Sequence, residues 1–254
     1  MEDENNTNVS NDKVIRNWKK YITPVLLLIS IVGIVYLVNI SDKWFVAEKI
    51  TEYEINGLRL NDSEKFFEKA RNISFGKPKD SVLLKSIETE IEKDAYIEKC
   101  VASFASQSKI KLDLEERIPF AFYNIGGKLD YLDLEGHILP YKVLKEYSDF
   151  VIVSGIKQTD TLLIKTAINI IGELQKKQEV FDFVSELRYM NKENGFEIIG
   201  PFNYTKIYLG LDDNIANKIE KLKVLMSNKS AHILLSNVKK IDLRWLDRII
   251  IERI

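Results

Sequence analysis

Tyr21 to Ile40, YITPVLLLISIVGIVYLVNI, is a run of twenty residues without one charge. At ~1.5 Å per residue a helix of that length spans the ~30 Å hydrocarbon layer of a bilayer. Eleven Leu, Ile and Val lie between Val25 and Val38. At about −0.3 to −0.6 kcal/mol each they favour insertion by several kcal/mol, which Ser30, Gly33 and Asn39 erode without reversing. Pro24 is expected in the first helical turn, where its missing N–H breaks no bond. Lys19 and Lys20 abut one end, and Trp44 and Phe45 follow the other at headgroup depth. A buried soluble helix would show a polar face. A cleaved signal would show a shorter apolar region and small residues at a cleavage site, and Asn39-Ile40-Ser41-Asp42-Lys43-Trp44 offers a poor one. A retained membrane anchor over 21–40 is the expectation.

Orientation follows from charge. Lys13, Arg16, Lys19 and Lys20 cluster before the span, so the short tail 1–20 is expected in the cytoplasm and the large C-terminal part outside it. Residues 1–12, MEDENNTNVSND, are polar enough to be expected disordered. The 254-residue chain has a formal net charge of −1 with 30% charged residues, which lacks the basic footprint of a nucleic-acid binder. The 214 residues after the anchor are enough for one or two domains with real cores. One cysteine, Cys100, and two histidines, His137 and His232, give no disulfide framework and no plausible zinc set.

Beyond the anchor, Trp44 to Leu58 reads as a strand closed by Gly57. Asn61 with Glu64 signals a helix whose Phe66, Phe67 and Ala70 face inward. Gly76 and Pro78 break the chain before a second helix over 80–93, with Val82, Leu84, Ile87 and Ile91 on one stripe. Two alternating segments follow. Cys100, Ala102 and Phe104 share a face of the first, and Ile110, Leu112 and Leu114 a face of the second. Strand, helix, helix, strand, strand predicts an antiparallel three-stranded sheet with two helices on one face.

That order, with Gly57, Gly76-Lys77, Tyr96 to Cys100 and above all Glu116-Arg117-Ile118-Pro119-Phe120-Ala121, resembles the POTRA domain of the bacterial FtsQ/DivIB cell-division family. The last string is similar to the family's E-R-x-P-x-A signature. Cys100 stands where small residues such as Ala are usual, and Phe104 where Arg often occurs. The resemblance continues through Tyr131-Leu132-Asp133 to Gly136 and the apolar Val151 to Gly155. It ends on Ile207-Tyr208-Leu209-Gly210, an amphipathic helix, and Ile241-Asp242-Leu243-Arg244-Trp245, where Tyr is usual at position 245.

The residues of this second half carry their own signals. Gly126-Gly127 and Asp133 to Gly136 are turn sequences, and Asn191 to Gly195 is a hairpin loop. Asp160 or Thr161 caps a helix to about Lys177, with Leu163, Ala167, Ile170, Ile171 and Leu174 inward. Strands are expected over 184–190, 196–199 and 206–210, and Asp212-Asp213 starts a helix bearing Ile215, Ile219, Leu222 and Leu225. The fold class is α+β. The expected organisation is a cytoplasmic tail over 1–20, a transmembrane helix over 21–40, a POTRA domain over 44–122, and a mostly antiparallel β domain with flanking helices over 123–254.

Catalytic signatures are missing. Ser-x-x-Lys occurs as Ser74/Lys77, Ser106/Lys109, Ser154/Lys157 and Ser236/Lys239, as chance allows in a Lys-rich chain, without a Ser-Asp-Asn or Lys-Thr-Gly companion. No Gly-x-Ser-x-Gly elbow or phosphate-binding glycine loop is present. Glu115-Glu116 and Asp212-Asp213 read as strand-surface and helix-cap residues, His137 as a turn residue and His232 as a strand-edge residue. No catalytic, cofactor-binding or metal-binding residue is expected. The resemblance implies a non-enzymatic divisome scaffold in the inner (plasma) membrane at the division septum. It would bind small bitopic proteins (FtsB/DivIC-like and FtsL-like) and other divisome proteins, and help control septal peptidoglycan synthesis. The other open class is a signal-anchored envelope enzyme or chaperone of another POTRA-containing system.

Ile249, Ile250 and Ile251 form an apolar β run near the chain end, a sheet edge that a further strand could cover. Alternation allows only every second one into the core. The resemblance implies that a partner segment adds to this last strand, bordered by Arg244, which would pair with a partner carboxylate, and Trp245.

Overall fold

The structure, a computed structural model, describes residues 5–44, 48–144, 149–201, 205–211, 214–227, 238–245 and 247–254. Helix α1 runs Asn5–Trp44, and its stretch Ile22–Ser41 has a mean hydropathy of 2.3, long and apolar enough to cross a membrane. Val25 to Val38 project into the surroundings rather than into a core. The helix therefore begins earlier than the disorder expected for 1–12: once the apolar segment supplies a nucleus, each added residue gains a bond without a new nucleation cost. Pro24 consequently lies inside α1, not in a first turn. It removes the bond that would otherwise reach back to the Lys20 carbonyl. Asn39 satisfies its amide locally by donating to the Val35 carbonyl at 2.9 Å.

The chain next builds β1 (Glu52–Asn56), α2 (Glu64–Ser74), a 3-10 turn (Lys79–Ser81), α3 (Leu84–Glu92), β2 (Ile97–Phe104) and β3 (Lys109–Glu116). Of the strand expected over 44–58, the described residues form β1 alone, and Trp44 belongs to α1. The second expected helix is split into the 3-10 turn and α3. Strand order is β1-β3-β2. Hairpin β2–β3 is antiparallel (Cys100↔Leu114), but β1 runs parallel to β3 (Ile55↔Leu112), so this sheet is mixed rather than antiparallel. Two helices return the chain so that β2 opposes β1. The hairpin then reverses it again, and β3, inserted between them, must run along β1. One core of Ile50, Phe66, Ala70, Ile87, Ile91, Cys100, Ala102, Ile110, Leu112 and Leu114 joins sheet to helices.

Two local devices fix this module. Gly57 has φ +92°, and a Cβ there would lie 1.9 Å from the Leu114 carbonyl oxygen, so only glycine fits where β1 ends. On the outer edge of β2, the amides of Cys100 and Ala102 donate to the α3 carboxylates of Glu92 (3.1 Å) and Glu88 (2.9 Å). A helix thus closes an edge that a foreign strand could otherwise join.

The larger sheet comprises β4 (Ala121–Ile125), β5 (Lys128–Leu132), β6 (Ile138–Leu139), β7 (Ile152–Ser154), β8 (Glu186–Asn191), β9 (Gly195–Ile199), β10 (Lys206–Gly210), β11 (Val238–Asp242) and β12 (Ile250–Arg253). The helices are α4 (Thr161–Gln175), α5 (Gln178–Phe181) and α6 (Ile215–Ser227). Spatial order is β12-β11-β10-β9-β8-β7-β4-β5-β6, and most neighbours are antiparallel. Gly126 and Gly127, both at positive φ, make the tight β4–β5 turn that their pairing predicts. Register aligns an apolar row across the sheet, Val153↔Leu187↔Ile198↔Ile207↔Ile241↔Ile251. Its first five members are buried in one core with Ile164, Ala167, Ile170, Ile171 and Leu174 of α4 and Ile215, Ile219 and Leu222 of α6. Ile251 is not.

The two sheets meet through the segment read as a signature. Glu116 is no idle surface residue: its carboxylate accepts the backbone amides of Arg59, Leu60 and Asn61 (2.6, 2.8 and 3.0 Å) and the Asn61 side-chain amide (2.6 Å). Asn61 is thereby used here rather than as a helix cap, and Ser63 and Asp160, before α2 and α4, make no side-chain cap bond either. Lys142 donates to the Leu60 carbonyl and to Asn61 Oδ1 (both 3.0 Å) and lies 3.7 Å from the Tyr96 ring centre. Tyr96, Tyr131 and Leu139 form a buried cluster between the sheets, with the Tyr96 hydroxyl donating to the Pro140 carbonyl at 2.6 Å.

Candidate partner interface

Among the described residues β12 is the terminal strand of the larger sheet and pairs on one side only, with β11 (Asp242↔Ile250, Ile241↔Ile251). All four residues of β12 are exposed. Ile250 and Ile251 keep 47% and 43% of their surface, although they point to opposite faces, so alternation does not bury either one. Ile251, unlike its row-mates, lies outside the buried core. Ile249, just before the strand, packs partly against the core. Trp245 is 53% exposed. Lys239 and Glu252 form a surface ion pair across β11–β12 at 3.0 Å.

Arg244 is held by its own chain. Its Nε and Nη2 donate to Asp242 Oδ1 (2.9 Å) and Oδ2 (2.7 Å), and Nη1 donates to Asn194 Oδ1 (3.0 Å). The guanidinium also lies 5.5 Å from the Tyr208 ring centre. Asp242 is buried, and the Arg244 hydrogen bonds hold its carboxyl below the usual carboxylate range against the opposing effect of desolvation. Three of the five guanidinium N–H groups are used among the described residues, and the side chain is 32% exposed.

Of the residues singled out in the sequence, Arg244, Trp245, Ile249, Ile250 and Ile251 all converge on this rim, with Ile249 turned toward the core and Arg244 already paired. Asp242, Asn194 and Tyr208, which orient Arg244, escaped sequence reasoning. The Asp-x-Arg spacing at the end of β11 was the local signal; Asn194 and Tyr208 come from other segments and left none. Asp212, Asp213, His232 and Ser236 lie outside the described residues.

A second polar cluster surrounds Arg117. Its Nη1 donates to Asp133 Oδ2 at 3.1 Å and meets His137 Nδ1 at 2.9 Å, while Glu135 stands 3.5 Å away. Asp133, Glu135 and His137 could together hold a metal ion by their separations alone. The Arg117 cation fills the middle of that set. Asp133 Oδ1 also accepts the amides of Glu135 and His137, so the carboxylate organises the β5–β6 turn.

These features define a class: an α+β protein with an apolar N-terminal helix, two jointed sheets and a rim strand that pairs on one side among the described residues. The family model described as FtsQ/DivIB, C-terminal related, matches residues 126–251, and the chain belongs to the FtsQ/DivIB family, which gives it a role in cell division. No match was found among curated proteins.

Proposed function

We propose that the protein is a non-enzymatic divisome scaffold, anchored by Ile22–Ser41 with its C-terminal part outside the cytoplasm at the division septum. Its smaller module serves as a POTRA domain. The rim strand β12 receives a strand from small bitopic division proteins of the FtsB/DivIC and FtsL kind, and through them the protein helps control septal peptidoglycan synthesis. The apolar row across the sheet carries this reading: it is covered from Val153 to Ile241 and ends uncovered at Ile251. An added strand would extend the row, give β12 its missing main-chain bonds, and stack against Trp245. The two remaining N–H groups of Arg244 would take a carboxylate of that strand.

Ile250→Pro removes a ladder donor and Trp245→Ala removes a flat apolar surface. Each is expected to weaken capture of the bitopic partners by about 2 kcal/mol or more while leaving the circular dichroism spectrum unchanged. Undiminished capture by both folded variants would place the interface elsewhere.

A further inference from the structure

At the opposite end of the three-stranded module, three segments are tied together. Lys49 bridges Pro78, the Ile50 amide donates to the Lys77 carbonyl at 3.0 Å, and the Gly76 amide donates to the Ile50 carbonyl at 2.9 Å. The amides of Thr51 and Glu52 both donate to the Ser108 carbonyl, which brings in the β2–β3 turn. Lys79 lies 4.9 Å from the Phe104 ring centre at the end of β2. The joint to the larger sheet sits at the other end, because β1 and β3 run in parallel from this cluster toward Gly57 and Glu116.

This cluster is also the end nearest the apolar helix. α1 ends at Trp44, and Lys49 follows five residues later, about 18 Å at full extension. Here two large apolar side chains face outward, Phe75 at 57% and Leu83 at 68% exposure. The tied segments also carry Lys49, Lys77 and Lys79, against the acids Glu48 and Asp80. An exposed aromatic and leucine at a lysine-bearing end, on a tether too short to leave the surface, match the headgroup layer: apolar groups sink in and lysine stems reach lipid phosphates.

We propose that this end of the module rests on the bilayer, with Phe75 and Leu83 at headgroup depth and Lys49, Lys77 and Lys79 on anionic lipid phosphates. The inference rests on the reading of Ile22–Ser41 as a membrane span. Its test uses the full chain in vesicles of phosphatidylethanolamine and phosphatidylglycerol that carry a nitroxide quencher in the headgroup or acyl region. The buried Cys100 is replaced by alanine, and a fluorophore is placed at Phe75→Cys, Leu83→Cys, Leu28→Cys within the span, or Leu134→Cys beyond the joint. Headgroup quenching at positions 75 and 83 should exceed that at 134 by about threefold or more, and should fall when Lys77→Glu and Lys79→Glu are added. Quenching at 75 and 83 no greater than at 134, with the Leu28→Cys label quenched from the acyl region, overturns the inference while the anchor stands. An unquenched Leu28→Cys label overturns both. Labels at 75 and 83 that ignore lipid but become shielded by envelope proteins assign the face to a protein and overturn the lipid assignment.

Discussion

Replacing Arg244 by alanine isolates the electrostatics of the rim. Removing one partner of a buried ion pair costs about 3–5 kcal/mol, because the other charge is left uncompensated. Here Asp242 is buried, but the Arg244 side chain is 32% exposed, and Lys240 Nζ remains 3.6 Å from Asp242 Oδ2. Solvent screening and that second cation reduce the expected loss to about 2–3 kcal/mol at neutral pH. The pH dependence has a definite sign. In the native protein Asp242 is held below its ordinary value, so its contribution is present above the unfolded carboxyl value of about 3.9 and fades as pH falls through the folded one. Without the guanidinium, burial pushes the same carboxyl up, and the variant is least stable where Asp242 must stay charged. Urea titration of the full chain in detergent micelles, followed by far-UV circular dichroism, should show the deficit in full at pH 7 and shrinking toward pH 4. A deficit below about 0.5 kcal/mol at pH 7, or one independent of pH, would refute the assigned pairing.

Two further outcomes are expected. The Cys100 thiol is buried and pushed up to about 12 by desolvation, so a charged alkylating reagent should modify native protein far more slowly than urea-unfolded protein; rapid native labelling would contradict its placement. Cys100→Ala should cost about 1 kcal/mol, and Cys100→Arg several, by burying an unpaired charge. Combining Glu88→Ala with Glu92→Ala strips both carboxylates from the β2 edge, and concentration-dependent self-association should appear in sedimentation. The Ala102 amide holds Glu88 below the ordinary carboxylate range, so the Glu88 part of this closure is present at neutral pH and fades as pH falls through that lowered value. A double variant as monodisperse as the parent would show that the edge needs no cover.

The apolar span, the helix and strand order, and the inward faces of Cys100, Ala102 and Ile110 were legible because their periods are local. The parallel pairing of β1 with β3 was not, since direction depends on which strand is inserted where, and alternation is blind to that. Likewise Glu116 shows its role only when the chain brings Arg59 to Asn61 against it, more than fifty residues away in sequence. At the rim, the isoleucine run announced an edge. Period-2 reasoning nevertheless expected one of two neighbours to be buried, and in the structure Ile250 faces away from the core while Ile251, on the core-side row, lies outside it too.

The placement of the joint has a mechanical consequence. The larger sheet is clamped at β4–β5 and offers its rim at β12, six strand spacings or about 29 Å away. A pull on the rim would cross every intervening ladder in series. The thinnest of them are the three parallel ones, β4–β7, β7–β8 and β10–β11, with three register pairs each. Their rows are the ones splinted from behind by α4 and α6, so the sheet is stiffened where tension would otherwise part it first.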